Sequence, residues 1–267
     1  MATPFSGFFG SALLAGSCIA IASGLIGWFV VLRVQVFAGD ALSHVAFTGA
    51  LAAAAAGLDL RLGLFVATVA VALALAALGE RARADDVTIG VVFVGTLGLG
   101  VLCLDLFNTG AAGGNGTIAA RTLFGSIFSL TAGEAQLAAL IAAGIVAALL
   151  SIGRPLLFAS LDEPVAAAGG VPVRALGFAF LALLGLDAAE ATQAVGALLL
   201  LGLLAAPAGA AHRLTASPYR GMALSATIAL VSMWIGLASS YWVAVLPPGS
   251  MVVLVAAAFY ALTIVVL

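Results

Sequence analysis

Residues 35–57 read QVFAGDALSHVAFTGALAAAAAG, an apolar segment with one carboxylate and one imidazole inside it. A helix that crosses a hydrocarbon core needs about 20 residues, and this segment supplies them. On such a helix Asp40 and His44 stand at i and i+4, on one face. Together they offer an oxygen and a nitrogen to the same small cation. Ionisable groups are expensive inside a bilayer, so they usually mark a pathway. If the segment enters from the cytoplasmic side, His44 lies about 14 Å deep, near the midplane. The alternative is a polar pair that hydrogen-bonds neighbouring helices and merely glues a bundle. Ser43 and Thr48 add hydroxyls, which can satisfy backbone carbonyls and decide nothing.

The rest of the chain has the same character. Its 267 residues are 64% hydrophobic and 7% charged, with a mean hydropathy of +1.30. A soluble domain carries roughly 25% charged residues, so this chain cannot cover its surface with polar groups. The composition predicts an all-α, polytopic membrane bundle forming one domain over residues 1–267. Alternating stretches about ten residues long, the mark of an outer-membrane barrel, are absent. All nine basic residues are arginine. Without lysine there is no P-loop, so any nucleotide-driven work falls to a partner. Cys18 and Cys103 lie far apart in apolar stretches and read as small buried hydrophobes. No basic n-region precedes the first apolar segment, which is therefore read as a retained span. No basic patch points to nucleic acid.

Polar punctuation divides the chain into about nine apolar segments, near 9–32, 35–57, 62–79, 87–106, 134–153, 174–189, 191–211, 221–244 and 250–267. The boundary between the sixth and seventh is marked only by Asp187, Glu190 and Gln193, so eight spans, or ten with a re-entrant piece, stay open. Residues 121–132 are too short and interrupted to span and suit an interfacial or re-entrant helix. FNTGAAGGNG at 107–116 has the composition of a flexible outer loop. Orientation follows from the arginines. With the loops at 33, 80–86, 154–173 and 212–220 in the cytoplasm, Arg33, Arg81, Arg83, Arg154, Arg174, Arg213 and Arg220 are inside. Arg61 and Arg121 are outside, and seven against two is a positive-inside bias. Nine spans then put the N-terminus outside and the C-terminus inside.

Three further segments carry chemistry. Residues 162–170, DEPVAAAGG, read as a short cytoplasmic helix. Asp162 serves as N-cap and Pro164 sits in the first turn. Acidic residues suit the positive helix end, and Gly169-Gly170 terminate it. Such a helix between two spans can dock a cytoplasmic partner, with Asp162, Glu163, Ala167 and Gly169 as contacts. Pro207 removes one backbone hydrogen bond near the cytoplasmic end of its span and predicts a hinge. His212 beside Arg213 reads as a solvated surface residue. Asp187 and Glu190, three apart, can form an outer gate that attracts cations, or stand in a solvated turn. The turn 246–250, LPPGS, is rigid punctuation.

These segments, in this order, resemble the membrane permease of zinc-, manganese- or iron-importing ABC transporters. VLRVQVFAGDALSHVAFTG at 31–49 is similar to the family's Gly-Asp-x-x-Ser-His signature. Residues 162–170 resemble its coupling segment, 196–211 (GALLLLGLLAAPAGAA) its Pro-containing span, and 246–249 its Leu-Pro-x-Gly turn. The resemblance covers nearly the whole chain. It implies the fold of that permease family, with eight or nine spans, and a homodimer or pair of like subunits with the pathway between them. It implies cytoplasmic ATPase subunits docked on 162–170, and an extracytoplasmic metal-binding protein that delivers the cargo. The family's intramembrane Asp and His fall on Asp40 and His44. The expectation is therefore a plasma-membrane permease, itself without enzymatic activity. It holds no permanent cofactor and passes Zn²⁺ or Mn²⁺, with iron a third choice. Two other classes stay open. One is an ATP-independent secondary transporter, which often shows an inverted repeat not detected here. The other is an ABC permease for a siderophore or corrinoid chelate.

Overall fold

The first apolar segment becomes the axis of the bundle. In the computed structural model, which describes residues 7–79, 86–109, 122–243 and 245–266, α1 (Phe8–Leu32) is buried along most of its length. Around it stand α2 (Val36–Ala55), α3 (Leu60–Leu78), α4 (Asp86–Thr109), α5 (Ala132–Leu161), the short α6 (Glu163–Ala168) and α7 (Val173–Ala194). The bundle is completed by α8 (Leu200–Leu214), α9 (Pro218–Trp242) and α10 (Pro248–Val266). Eight of the helices formed by the described residues are long and apolar enough to cross a membrane, all but α6 and α8. Arg81, Arg83, Arg121 and most of the 107–116 stretch lie outside the described residues.

Small residues set the closest approaches. A Cβ on Gly49 of α2 would collide with the Gly63 carbonyl of α3, and one on Gly63 with the Gly49 carbonyl. With no Cβ at either position the two backbones touch, as small residues permit in lipid. This contact fixes α2 against α3. On its other side α2 packs against α4, which turns most of its remaining surface outward: Val87, Val91, Val94, Leu99 and Leu102 are all exposed.

Three of the segments differ from the sequence reading in their boundaries. The sixth span does not end at 189. Nothing breaks the helix until Gly196, whose φ of 100° is left-handed, so α7 runs on to Ala194. Asp187 and Glu190 are thus inside a helix and not in a turn. The fifth span passes through Arg154 and Pro155 to Leu161, so the first part of the expected 154–173 loop, residues 154–161, continues that helix.

The seventh segment is the short one. Helix α8 has 15 residues, about 22 Å at ~1.5 Å per residue, and falls short of the hydrocarbon core. Its outer end is completed by chain from elsewhere. The Ala197 and Leu198 amides donate to the Thr122 and Leu123 carbonyls at 3.1 and 3.3 Å, and the Ser126 amide donates to the Gln193 carbonyl at 3.1 Å. Residues 122–131 form the non-spanning piece expected from their sequence: a helical turn, then the 3-10 turn Ile127–Ser129. They satisfy backbone groups that the α7–α8 break would otherwise strand.

Candidate functional site

Helix α2 presents Phe37, Asp40 and His44 along one face. Asp40 and His44 are half-buried, while Ala41, Leu42, Ser43 and Val45 between and beside them are buried. The buried side holds the helix in the bundle and leaves the Asp–His side partly open. Ser43 turns back and donates to the Asp40 carbonyl at 2.7 Å, so it takes no part in that face. The imidazole of His44 stands edge-on to Phe93 of α4, with ring centroids 5.0 Å apart at 80°. Phe37 meets the same ring at 5.8 Å. One turn further, Thr48 donates to the Thr96 carbonyl of α4 at 3.0 Å. Phe93 and Thr96 therefore fix the rotation of α2 against α4 and, with it, the direction of the Asp40–His44 face. No group of three or more His, Cys, Asp and Glu side chains converges among the described residues. Asp40 and His44 thus stand as two candidate ligand side chains with no third His, Cys, Asp or Glu gathered beside them among the described residues.

Asp187 and Glu190 occupy a different place. Each is 1% exposed. Asp187 accepts a hydrogen bond from Ser23 of α1 at 3.1 Å. Glu190 forms an ion pair at 2.8 Å with Arg61 of α3. Arg61 is placed by the start of its own helix, where Asp59 is the N-cap and accepts from the Arg61 and Leu62 amides at 2.8 and 3.1 Å. The two carboxylates therefore face α1 and α3 from inside α7, and neither touches Asp40 or His44. Arg61 escaped the sequence reading, which counted it only as an arginine on the outer side. The usable signal was a charge beside apolar spans with two carboxylates in another span, since such charges pair.

The predicted short helix is present as α6. Asp162 caps it by accepting from the Val165 amide at 3.1 Å. Its end is a Schellman closure: the Gly170 amide donates to the Ala167 carbonyl and the Val171 amide to the Ala166 carbonyl. Gly170 carries the left-handed φ of 81°, which its lack of a side chain permits. Asp162, Ala167 and Gly169 are exposed, Glu163 is half-buried, and Ala166 anchors the helix. A groove bounded by Pro164, Ala167, Val171, Arg174 and Phe178 runs beside it. Pro207 is buried within α8, which continues through it without the donor to the Leu203 carbonyl. His212 differs from its expected solvated state. Its ring stacks on Trp28 at 4.9 Å and 11°, and Nε2 lies 3.0 Å from the Trp28 carbonyl oxygen. The aromatic neighbour on α1, distant in sequence, withdraws it from water. Both cysteines are free.

The model of a transport family described as ABC 3 matches residues 6–267. The chain belongs to the ABC-3 transport family. It is 29% identical over 251 residues to the manganese transport system membrane protein MntC of Listeria innocua, covering 94% of this chain and 87% of that one. The manganese import system permease protein ScaB of Streptococcus parasanguinis is 26% identical over 254 residues, covering 95% and 88%. Among solved structures, PsaBC from Streptococcus pneumoniae in complex with Fab superposes with a TM-score of 0.82 at 27% identity. It covers 96% of this chain and 90% of that one. The family expected from the four motifs is the family found. The fold is the all-helical polytopic bundle expected, and the protein is a multi-pass integral protein of the plasma membrane.

Proposed function

We propose that this chain is the permease subunit of an ATP-driven importer of a divalent metal cation, manganese or zinc. The observation that carries the reading is the half-open Asp40–His44 face of α2 in an ABC-3 fold. Relatives named for manganese transport support manganese first. Two like protomers facing each other would supply two carboxylates and two imidazoles, a mixed set plausible for either metal. The cation is cargo and not a resident cofactor. Asp40 and His44 replace part of its lost hydration, and the contact must stay weak enough to release it. An extracytoplasmic metal-binding protein delivers it. The exposed side of α6 and the groove beside it receive an ATPase subunit, because this chain has no lysine with which to build a P-loop. Binding of ATP closes the partner subunits, and α6 passes that motion to the spans. The buried Arg61–Glu190 pair serves as an outer lock between α3 and α7, and α8 bends at Pro207 as access alternates.

The test is ATP-dependent uptake of radioactive manganese and zinc into vesicles carrying the permease, its ATPase and its binding protein. Uptake that collapses in His44→Ala is expected. No uptake of either metal by a complex that hydrolyses ATP would overturn the reading and point to a chelate.

A further inference from the structure

The corner between α1 and α2 holds a buried arginine that the uptake mechanism above does not use. Arg33 is 5% exposed and Gln35 3% exposed, although both sit at the end of the bundle that carries the inside arginines. Arg33 Nε donates to Gln35 Oε1 at 3.1 Å, and Nη1 donates to Ser160 Oγ of α5 at 3.2 Å. Its guanidinium carbon stands 5.2 Å from the ring centroid of Phe180, on α7. Ser160 is two residues before Asp162, the N-cap of α6, and α7 begins where the loop after α6 ends. One guanidinium therefore touches both spans between which α6 hangs. Through the backbone the same residue leads directly into α2, with Asp40 in the second turn of that helix. Between Arg33 and Gln35, Val34 adopts a φ of 56° and is 81% exposed. A β-branched residue in the left-handed region is costly and persists only where its surroundings over-determine it. Here the two buried neighbours do so. A strained, clamped corner transmits displacement where a relaxed loop would absorb it.

Resting on the docking reading of α6, we propose that Arg33 is the positioning residue that couples the ATPase-docking element to the metal-bearing helix. Displacement of α6 moves the ends of α5 and α7. The fork on Ser160 and the cation–π contact on Phe180 carry that displacement to the α1–α2 corner, and α2 re-aims Asp40 and His44. A planar fork suits this role better than an ammonium, because it holds a hydroxyl and an aromatic face at once.

The test uses the full transporter in proteoliposomes and compares wild type, Arg33→Met, Arg33→Lys and Ser160→Ala. Arg33→Met keeps the aliphatic stem and removes the fork. The expected result is metal uptake reduced about tenfold with ATP hydrolysis little changed, within the ~5–150-fold span of a coupling free energy between sites. Equilibrium manganese binding stays as in wild type, Ser160→Ala shows a smaller loss, and Arg33→Lys recovers part of it. A second readout needs no metal. With Cys18 and Cys103 replaced by alanine, Phe37→Cys on the Asp40 face is labelled by a charged maleimide with and without trapped nucleotide. The nucleotide-dependent change in labelling is expected in the Arg33 background and lost with Arg33→Met. An undiminished change in Arg33→Met, or uptake and ATP hydrolysis falling in parallel, overturns the assignment. Failure of the import reading shows separately, as absent uptake in wild type.

Discussion

The acid-bearing sites of α7 and α2 are built in opposite ways. On α7, Asp187 and Glu190 are sealed at 1% exposure, one held by Ser23 and the other by Arg61. On α2, Asp40 and His44 are half-open, and the His44 ring packs edge-on against Phe93 of α4. A buried charge with a fixed opposite partner has its field spent within the protein, and losing either partner strands the other. A half-open carboxylate beside an imidazole keeps ligand capacity for something that arrives and leaves. The residue types are similar, and the surroundings are what distinguish a sealed pair from one proposed to meet cargo. This is why the carboxylates of α7 are a poor place to look for cargo, despite being the most deeply buried acids among the described residues.

Breaking the open site should have the largest effect on transport. The double variant Asp40→Ala/His44→Ala is expected to assemble, keep its thermal stability and lose uptake to the level of empty vesicles. Unchanged transport by an assembled double variant would remove the pair from the path. Breaking the sealed site should do the reverse. Arg61→Met or Glu190→Gln should lower the stability of the purified permease by about 3 kcal/mol, the low end for an interrupted buried pair, because Arg61 keeps 21% side-chain exposure. The paired replacement Arg61→Met/Glu190→Met should restore most of that loss in thermal unfolding. If the paired variant is stable but leaks metal without ATP, the pair is confirmed as the outer lock and not only a strut. A stable single variant would show that the pair contributes little.

Acidification sharpens the contrast further. On the proposed path a proton and a metal ion would compete for the same imidazole nitrogen, and only neutral His44 would bind metal. Metal binding is therefore full above the titration of His44 and weakens as pH falls through it, by about tenfold in apparent affinity per pH unit. Measuring the concentration dependence of uptake across external pH would show this, and His44→Gln should flatten the profile. A wild-type profile that matches His44→Gln would mean that His44 is not a ligand.

Much of this was legible in the sequence because the membrane simplifies the problem. Apolar length located eight of the nine expected spans, the segment at 191–211 giving only the short α8, and the i, i+4 spacing put Asp40 and His44 on one face. N-cap and double-glycine chemistry located α6, since those signals act within a few residues. The misread features were long-range. The end of α7 depended on Gly196 meeting residues 122–125, and no local breaker marks 189 as anything but a change of polarity. Arg61 and Glu190 are 129 residues apart, and His212 and Trp28 are 184 apart, so no window of sequence shows either contact. That Asp40 and His44 share a helix face was legible for the same reason in reverse, as both lie on one helix.

The smallest effect is expected at Ser23. Its hydroxyl donates to Asp187 Oδ1 from the middle of α1, with both side chains buried. Among the described residues, Asp187 Oδ2 has no hydrogen-bond partner. Ser23→Ala leaves both oxygens in that condition and should cost about 1 kcal/mol in thermal unfolding, the usual worth of one buried hydrogen bond. Asp187→Leu removes the polar group instead, and replacing a poorly paired buried group by an apolar one can be neutral or stabilising. A strut therefore predicts Ser23→Ala as the less stable of the two variants, with metal uptake retained by both. Should uptake fall in Asp187→Leu while stability holds, the sealed carboxylate acts on the cargo after all, and the division of labour between α2 and α7 would have to be redrawn.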